Sequence, residues 1–367
     1  VETSGIKKGS IINITSTAET ILTCLNQIEI QADGKIKELH IGLSGEEVSS
    51  TNSIGQVKIT DQEVTFRDIE KALNMSKTMM VPNDKTLLYA VPNDYSIDGQ
   101  RGIKEPLGKK GIRLEASSHL IHCSKNTKEN IVKCIKKLSK PISATNFYFN
   151  QLGVAEVVLS SEEKKDGVCL VDIGAGTTDI SLYIGGSIQF SKILPAAGDY
   201  ITENIAQAFE IPKSDAEDLK KKYGCAFSDI AGEDMLKINV AGNNQSISRK
   251  VLARQIEDSV SRILRKCVSC LEDNNLLENI PAGFVLTGGT ANMEGMKQLG
   301  EEVTKNKIKI GLPEYNLPIN AEKLLKPEFS GLLGLVKFYA IEQDKEFTFN
   351  QSKGIIARVL EWIRTEL

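Results

Sequence analysis

Apolar and polar positions alternate in blocks that predict a mixed α/β chain. Thr17 to Gln31 carries a helical pattern, and Glu38 to Leu43 reads as a strand. Ser49 to Gly55 is polar and holds a glycine, which predicts a junction. Beyond it the pattern predicts a strand (Val57 to Thr60) and a helix opened by Thr65 or Asp68. Two strands follow, near Thr86–Val91 and Gly111–His122. A helix (Lys128 to Leu138), a strand (Asn146 to Phe149) and a charged crossing (Ser160 to Gly167) come next. Apolar runs at 168–200 and 284–325 predict a second sheet, with a mostly helical insertion at 201–283. Asp344 to Ser352 is polar and mixed, as in a linker. In the final segment, Ile356, Val359, Leu360, Ile363 and Leu367 share one helix face at about 100° per residue. Ile355 and Trp362 flank that face, and Arg358, Glu361 and Thr365 lie opposite. A helix docked on the protein's own core and a membrane-surface helix both fit this stripe.

Three segments carry candidate chemistry. Val168 to Val171 is a β-rich run that meets Asp172, two glycines (Gly174, Gly176), two hydroxyls (Thr177, Thr178) and a second acid, Asp179. A strand feeding such a turn lets backbone N–H groups cradle phosphate, with the hydroxyls as further donors. Asp172 suits a magnesium ion held through water, because Mg²⁺ keeps much of its hydration shell. The second segment, Phe284 to Ala291, is a strand ending in Gly288, Gly289 and Thr290, a turn fit for close approach to an adenosine or its phosphates. Between them, Glu217 and Lys220 are three apart on one helix face, placed to reach a ribose and a base.

In that order, the phosphate hairpin, the Glu-x-x-Lys helix and the Leu-Thr-Gly-Gly turn resemble the actin/Hsp70/sugar-kinase superfamily. Gly5-Ile6-Lys7-Lys8-Gly9-Ser10-Ile11-Ile12-Asn13, Ile41-Gly42-Leu43-Ser44-Gly45, Asp98 to Gly108 and Gly111 to Ala116 narrow the resemblance to the FtsA family of bacterial cell-division proteins. It covers nearly the whole chain. It implies an α/β, actin-like two-domain fold with a strand-helix-strand-strand extra subdomain and a C-terminal amphipathic helix. The implied layout places the first actin-like domain at 1–53 and 125–166, with the extra subdomain at 54–124. The second domain takes 167–200 and 284–343, and its cap subdomain 201–283. A linker (344–352) and a membrane-targeting helix (353–367) complete it.

The resemblance implies ATP and Mg²⁺ as cofactors, bound by Asp172, Gly174, Gly176, Thr177, Thr178, Glu217, Lys220, Gly288, Gly289 and Thr290. Asp172 and Asp179 would position metal and water for an ATPase activity that is slow at most. It implies self-association into filaments, capture of the C-terminal peptide of FtsZ at the cap, and contacts of the extra subdomain with other divisome proteins. Membrane lipids would be met by Ile355, Ile356, Arg358, Val359, Leu360, Trp362, Ile363 and Arg364. The expected location is the cytoplasmic side of the cell membrane at the division septum.

The chain departs from the family in three places. It begins at Val1 without the first phosphate loop, Asp-x-Gly-Thr/Ser, so weaker nucleotide binding and a first sheet short of strands are expected. Ala175 stands where the family has glycine, which fits only a negative φ. Ser259 stands where the family commonly carries arginine, with Arg262 nearly one turn later.

Composition adds exclusions. A net charge of −3 and a 5% aromatic share argue against nucleic acid as a partner. Seven cysteines without framework spacing suit a reducing compartment, and Cys267-x-x-Cys270 lacks the second pair that zinc needs. His119 and His122, three apart on a strand, point to opposite faces. Two other functions on the same superfamily fold compete. A small-molecule kinase needs a general base beside the hydroxyl it activates and has no use for an amphipathic tail. A pilus-assembly ATPase has a similar subdomain, but the Asp98 to Ala116 stretch and the tail argue against it.

Overall fold

The computed structural model describes residues 3–78, 81–240, 243–315 and 322–351. The chain divides into two compact units. One comprises 1–150, 185–191 and the residues from 335 onward; the other comprises 151–184 and 192–334.

The first unit opens with a hairpin of β1 (Ile6–Lys7) and β2 (Ser10–Ile11). Helix α1 (Ile14–Ala32) starts three residues earlier than the apolar pattern suggests, because the Asn13 side chain accepts from the amides of Thr15 and Ser16. Strand β3 (Glu38–Leu43) is as expected. Next come β4 (Val48–Lys58), α2 (Phe66–Thr78), β5 (Lys85–Ile97), β6 (Gln100–Ile103) and β7 (Arg113–Ser124). Helix α3 (Lys125–Lys136) and strand β8 (Ser143–Phe149) follow. β3 and β8 pair in parallel. Ala18, Leu25, Cys134 and Ile135 of α1 and α3 pack with Leu39 and Ile41 of β3.

The antiparallel sheet β4-β7-β5-β6 is the extra subdomain, and α2 covers one of its faces. Thr65 and Asp68 together open α2: the Asp68 carboxylate accepts from the Thr65 amide at 3.0 Å, and the Thr65 hydroxyl accepts from the Asp68 amide at 3.3 Å. Ile69, Ala72 and Leu73 pack there on Tyr95, Ile97, Leu114 and Ala116.

Two expectations are corrected in this subdomain. Ser49 to Gly55 is not a junction but the middle of β4, so a boundary after residue 53 falls inside a strand. Its polar residues have partners: Ser50 donates to the Ser191 carbonyl and Asn52 to that of Gln189. Gly55 lies where α2 crosses, and a Cβ there would sit 1.8 Å from the Ala72 carbonyl oxygen. The strand-helix-strand-strand order also gains β6, a short edge strand reached through Asp98 and Gly99, both at positive φ.

The second unit begins near α4 (Asn150–Val158), which buries most of its residues. The expected crossing at Ser160 to Gly167 is instead α5 (Ser161–Asp166), a short helix with a capping box between Ser160 and Glu163. Then come β9 (Val168–Ile173), β10 (Thr178–Ile184), β11 (Ser187–Leu194), α6 (Gly198–Phe209) and α7 (Lys213–Tyr223). A hairpin that the sequence pattern missed, β12 (Met235–Val240) with β13 (Asn243–Ser248), precedes α8 (Arg249–Glu272). β14 (Phe284–Thr287), α9 (Met296–Thr304), β15 (Ile308–Ile310) and α10 (Ser330–Gln351) complete the order, although α10 from 335 on, like 187–191 of β11, counts with the first unit.

The sheet runs β11-β10-β9-β14-β15. β9 is central: antiparallel to β10, parallel to β14, with every residue but Asp172 fully buried. The expected linker at 344–352 is corrected as well, since α10 continues through Gln351. No glycine or proline interrupts the chain between Gly334 and Gly354, and Lys345, Glu346 and Gln351 are good helix formers.

Candidate functional site

The C-terminal ends of β9 and β14 and the turn entering β10 converge in the second unit. Asp172 stands opposite Asp179 on β10 and Thr287 on β14, so the three share one face of the sheet. Asp172 is half-buried, and burial pushes its pKa up to about 6. Among the described residues no lysine or arginine forms an ion pair with it. Gly288 passes beside it at φ +86, where a Cβ would lie 2.3 Å from Oδ1.

The turn between β9 and β10 is stitched to two other elements through one atom. The Gly174 carbonyl oxygen accepts from the Gly198 amide at 3.0 Å and from the Thr290 hydroxyl at 3.1 Å. The Asp199 amide donates to the Ala175 carbonyl at 2.7 Å, so the N-terminus of α6 abuts the turn. The Gly198 carbonyl in turn accepts from Lys220 Nζ at 3.0 Å. The phosphate-type hairpin, the Gly-Gly turn and the Glu-x-x-Lys helix are thus joined by a continuous hydrogen-bonded chain.

Glu217 and Lys220 project from α7 toward α6. Lys220 Nζ lies 2.7 Å from Glu217 Oε2 and 2.8 Å from the Thr202 hydroxyl oxygen. Thr202 also bonds to Glu217 Oε2, while the exposed Lys221 pairs with Oε1 at 3.2 Å. Burial alone would raise the Glu217 pKa, but hydrogen bonds from Lys220 and Thr202 bring it below its ordinary value.

No positive φ falls on Gly174, Ala175, Gly176 or Gly289, so Ala175 fits as expected. Gly174 and Gly289 are free of crowding too: a Cβ would meet its nearest neighbour at 3.4 and 4.0 Å respectively. Neither glycine is required by the protein's own packing. Thr177 and Gly176 are half-buried in the turn. Thr178 differs from expectation: it is fully buried and its hydroxyl donates to the Ala196 carbonyl at 2.7 Å, so it braces the turn from behind. Asp179 is buried, and its backbone carbonyl accepts from the side chain of Gln151. Ile355, Ile356, Arg358, Val359, Leu360, Trp362, Ile363 and Arg364 lie outside the described residues.

Gly198 and Thr202 belong to the site and were not predicted. The signal for Gly198 was present, since Ala196-Ala197-Gly198 is a run of small residues between an apolar strand and a helix. Thr202 carries none, because a hydroxyl inside a helical pattern is unremarkable.

Known proteins resemble this chain along nearly its full length. The family model for "Cell division protein FtsA" matches residues 169–334, and that for "SHS2 domain inserted in FTSA" matches 45–122. The FtsA of Pseudomonas aeruginosa is 36% identical, over 98% of this chain and 89% of its own length. The FtsA of Escherichia coli K12 is 33% identical, over 98% and 87%. Among solved structures, the PilM-PilN type IV pilus biogenesis complex gives a TM-score of 0.62 at 16% identity, over 92% of this chain and 89% of that one. ADP-bound MreB5 of Spiroplasma citri gives 0.58 at 14% identity, over 96% and 81%. These structural likenesses establish the fold, and the sequence identities establish the lineage: the chain belongs to the FtsA family of cell-division proteins, with an actin-like ATPase fold that carries an inserted SHS2 domain.

Proposed function

We propose that this chain binds ATP with Mg²⁺ at the β9–β10 turn, assembles into actin-like filaments and tethers FtsZ to the inner face of the cytoplasmic membrane at the division septum. The observation that carries the nucleotide reading is the Gly174 carbonyl, which ties the β9–β10 turn to both α6 and the Gly288-Gly289-Thr290 turn. Gly174, Gly176 and Thr177 would face phosphate, with Thr178 bracing the turn. Gly289 and Thr290 would meet the adenosine side, and Glu217 the ribose. Gly174 and Gly289 leave room that the fold itself does not need, as a closely approaching ligand requires.

The residues fit a magnesium ion. Asp172 is a desolvated carboxylate without an ion-pair partner among the described residues, and it faces Asp179 directly across the strands. Burial makes the charged form of Asp172 costly, and a hydrated divalent cation offsets that cost. Bound there, Mg²⁺ would neutralise phosphate charge. Asp172 would hold the ion's water shell and Asp179 would orient water, with turnover slow at most. The ADP in the MreB5 structure supports the reading.

The remaining partners follow from the family. Ile230, Met235 and Val251 are exposed apolar residues of 201–283, suited to an apolar peptide such as the FtsZ C-terminus. The extra subdomain would meet other divisome proteins. No helix among the described residues is long and apolar enough to cross a membrane, so attachment would rest on the amphipathic face of 353–367.

Titration calorimetry with ATP and magnesium tests the core of the proposal. Wild type should bind. Gly174→Ala should weaken binding at least about tenfold without lowering the melting temperature, because its Cβ intrudes only on the ligand's space. Absence of binding by the wild type overturns the nucleotide reading.

A further inference from the structure

Lys220 has three N–H donors, and the structure gives each an acceptor within 3.0 Å: the Gly198 carbonyl, the Thr202 hydroxyl and Glu217 Oε2. Its side chain is only 10% exposed. None of its donors remains for a ligand. Thr202 completes the lock. It is fully buried, accepts from Lys220 and has one proton to give. That proton has two acceptors in reach, the Gly198 carbonyl oxygen at 3.0 Å and Glu217 Oε2, and the charged carboxylate makes the stronger bond. Every polar atom of the Thr202–Lys220 pair is then used.

The two oxygens of Glu217 therefore differ. Oε2 is held by two buried partners anchored on α6. Oε1 has Lys221, whose side chain is 70% exposed and screened by water. A ligand hydroxyl displaces Lys221 at little cost but cannot displace Lys220 and Thr202 without breaking the lock.

We infer that Thr202 and Lys220 are positioning residues that fix Glu217 Oε2 against α6, leaving Oε1 as the oxygen that selects a hydroxyl-bearing ribose. This rests on the proposal that the site binds ATP. Lys220 is then a strut rather than a contact to the nucleoside. The same strut reaches the Gly198 carbonyl, one residue's backbone away from the amide that holds Gly174. Ribose recognition and the shape of the phosphate turn share one support.

The test compares binding of ATP and 2′,3′-dideoxy-ATP, each with magnesium. Wild type should favour ATP by about tenfold or more, the scale of a hydrogen bond to a charged group. Thr202→Val keeps the shape and removes the hydroxyl, and it should bring the ratio toward one. Thr202→Ser should restore the ratio, which mere filling of the site would not achieve. Lys221→Ala should keep it. If Thr202→Val lowers the melting temperature, Lys220→Met gives the same information: a collapsed ratio supports the inference and a kept ratio overturns it. A wild type that binds ATP without preference, a Thr202→Val protein that keeps the preference, or a Lys221→Ala protein that loses it overturns the inference while the ATP reading stands. A wild type that binds neither nucleotide overturns both.

Discussion

Gly288 and Gly289 are neighbours in the sequence with different physical reasons to be glycine. Gly288 has a φ of +86, and a Cβ would strike Asp172 Oδ1 at 2.3 Å. Gly288→Ala should cost about 2–5 kcal/mol of stability from backbone strain and overpacking together. Gly289 meets nothing nearer than 4.0 Å, so Gly289→Ala should stay within about 0.5 kcal/mol of wild type and lose ATP affinity instead. Thermal melts beside ATP titrations separate the two, and equal melting losses would contradict this assignment. His119 illustrates burial without catalysis. Its Nδ1 lies 2.7 Å from the Asn52 side-chain oxygen and its Nε2 3.0 Å from the Ser191 hydroxyl. Burial first, and the charge of His122 second, push its pKa down to about 4 from 6.5. Between those values the unfolded chain binds a proton that the folded chain refuses, so stability falls as pH drops through this window. From pH 7 to 5 the loss should be about 2 kcal/mol, and His119→Gln should flatten it in urea melts at the two pH values. At this scale Asp172, Gly174, Glu217 and Lys220 were legible because their spacing carries chemistry. Thr202 was not, because its role exists only where α6 meets α7.

Elements were legible where apolar period and length agreed, as in β3, β9, β14 and α1. They were missed where polar residues do structural work. β4 read as a junction because Ser49 to Gly55 lacks apolar alternation, yet Ser50 and Asn52 spend their polar groups on backbone carbonyls of 189–191. β6 is four residues long, and its clearest mark was the Asp98-Gly99 turn. There the Asp98 carboxylate accepts from the amides of Ile112 and Arg113, which pins β7 to the end of β5. The helix-on-sheet contact gives a sharp prediction. At Gly55 a Cβ would sit 1.8 Å from the Ala72 carbonyl oxygen and 2.5 Å from the Ser76 amide nitrogen, so α2 must lift from β4 to admit it. Gly55→Ala should cost about 3 kcal/mol, at the upper end of overpacking losses. The damage should be local: hydrogen exchange should quicken across 48–124 while β9 and β14 keep their protection. Unchanged exchange in α2 would show that the helix yields without cost.

Across the whole molecule, function depends on segments far apart in sequence. Gly174, Gly198 and Thr290 meet at one carbonyl; the family resemblance named Gly174 and Thr290, but Gly198 was not foreseen. The proposed membrane attachment is a question of the same scale, because one short amphipathic helix binds a bilayer only marginally. In 353–367 the basic residues Lys353, Arg358 and Arg364 are nearly balanced by Glu361 and Glu366. At about 1 kcal/mol per basic residue near an anionic leaflet, little net electrostatic attraction remains. Apolar insertion must then carry each contact, and filaments that present many helices at once would add about 10²–10⁴-fold in avidity. The chain has a single tryptophan, Trp362, beside the apolar face, so its fluorescence reports on this segment alone. With ATP, magnesium and lipid vesicles the emission should shift to the blue, and binding should rise steeply with protein concentration. Raising salt from about 0.1 to 0.5 M, which shortens screening lengths about twofold, should change binding little. Deleting 353–367 should abolish sedimentation with vesicles. A deletion protein that still sediments, or a binding curve that collapses in salt, would place the attachment elsewhere on the molecule.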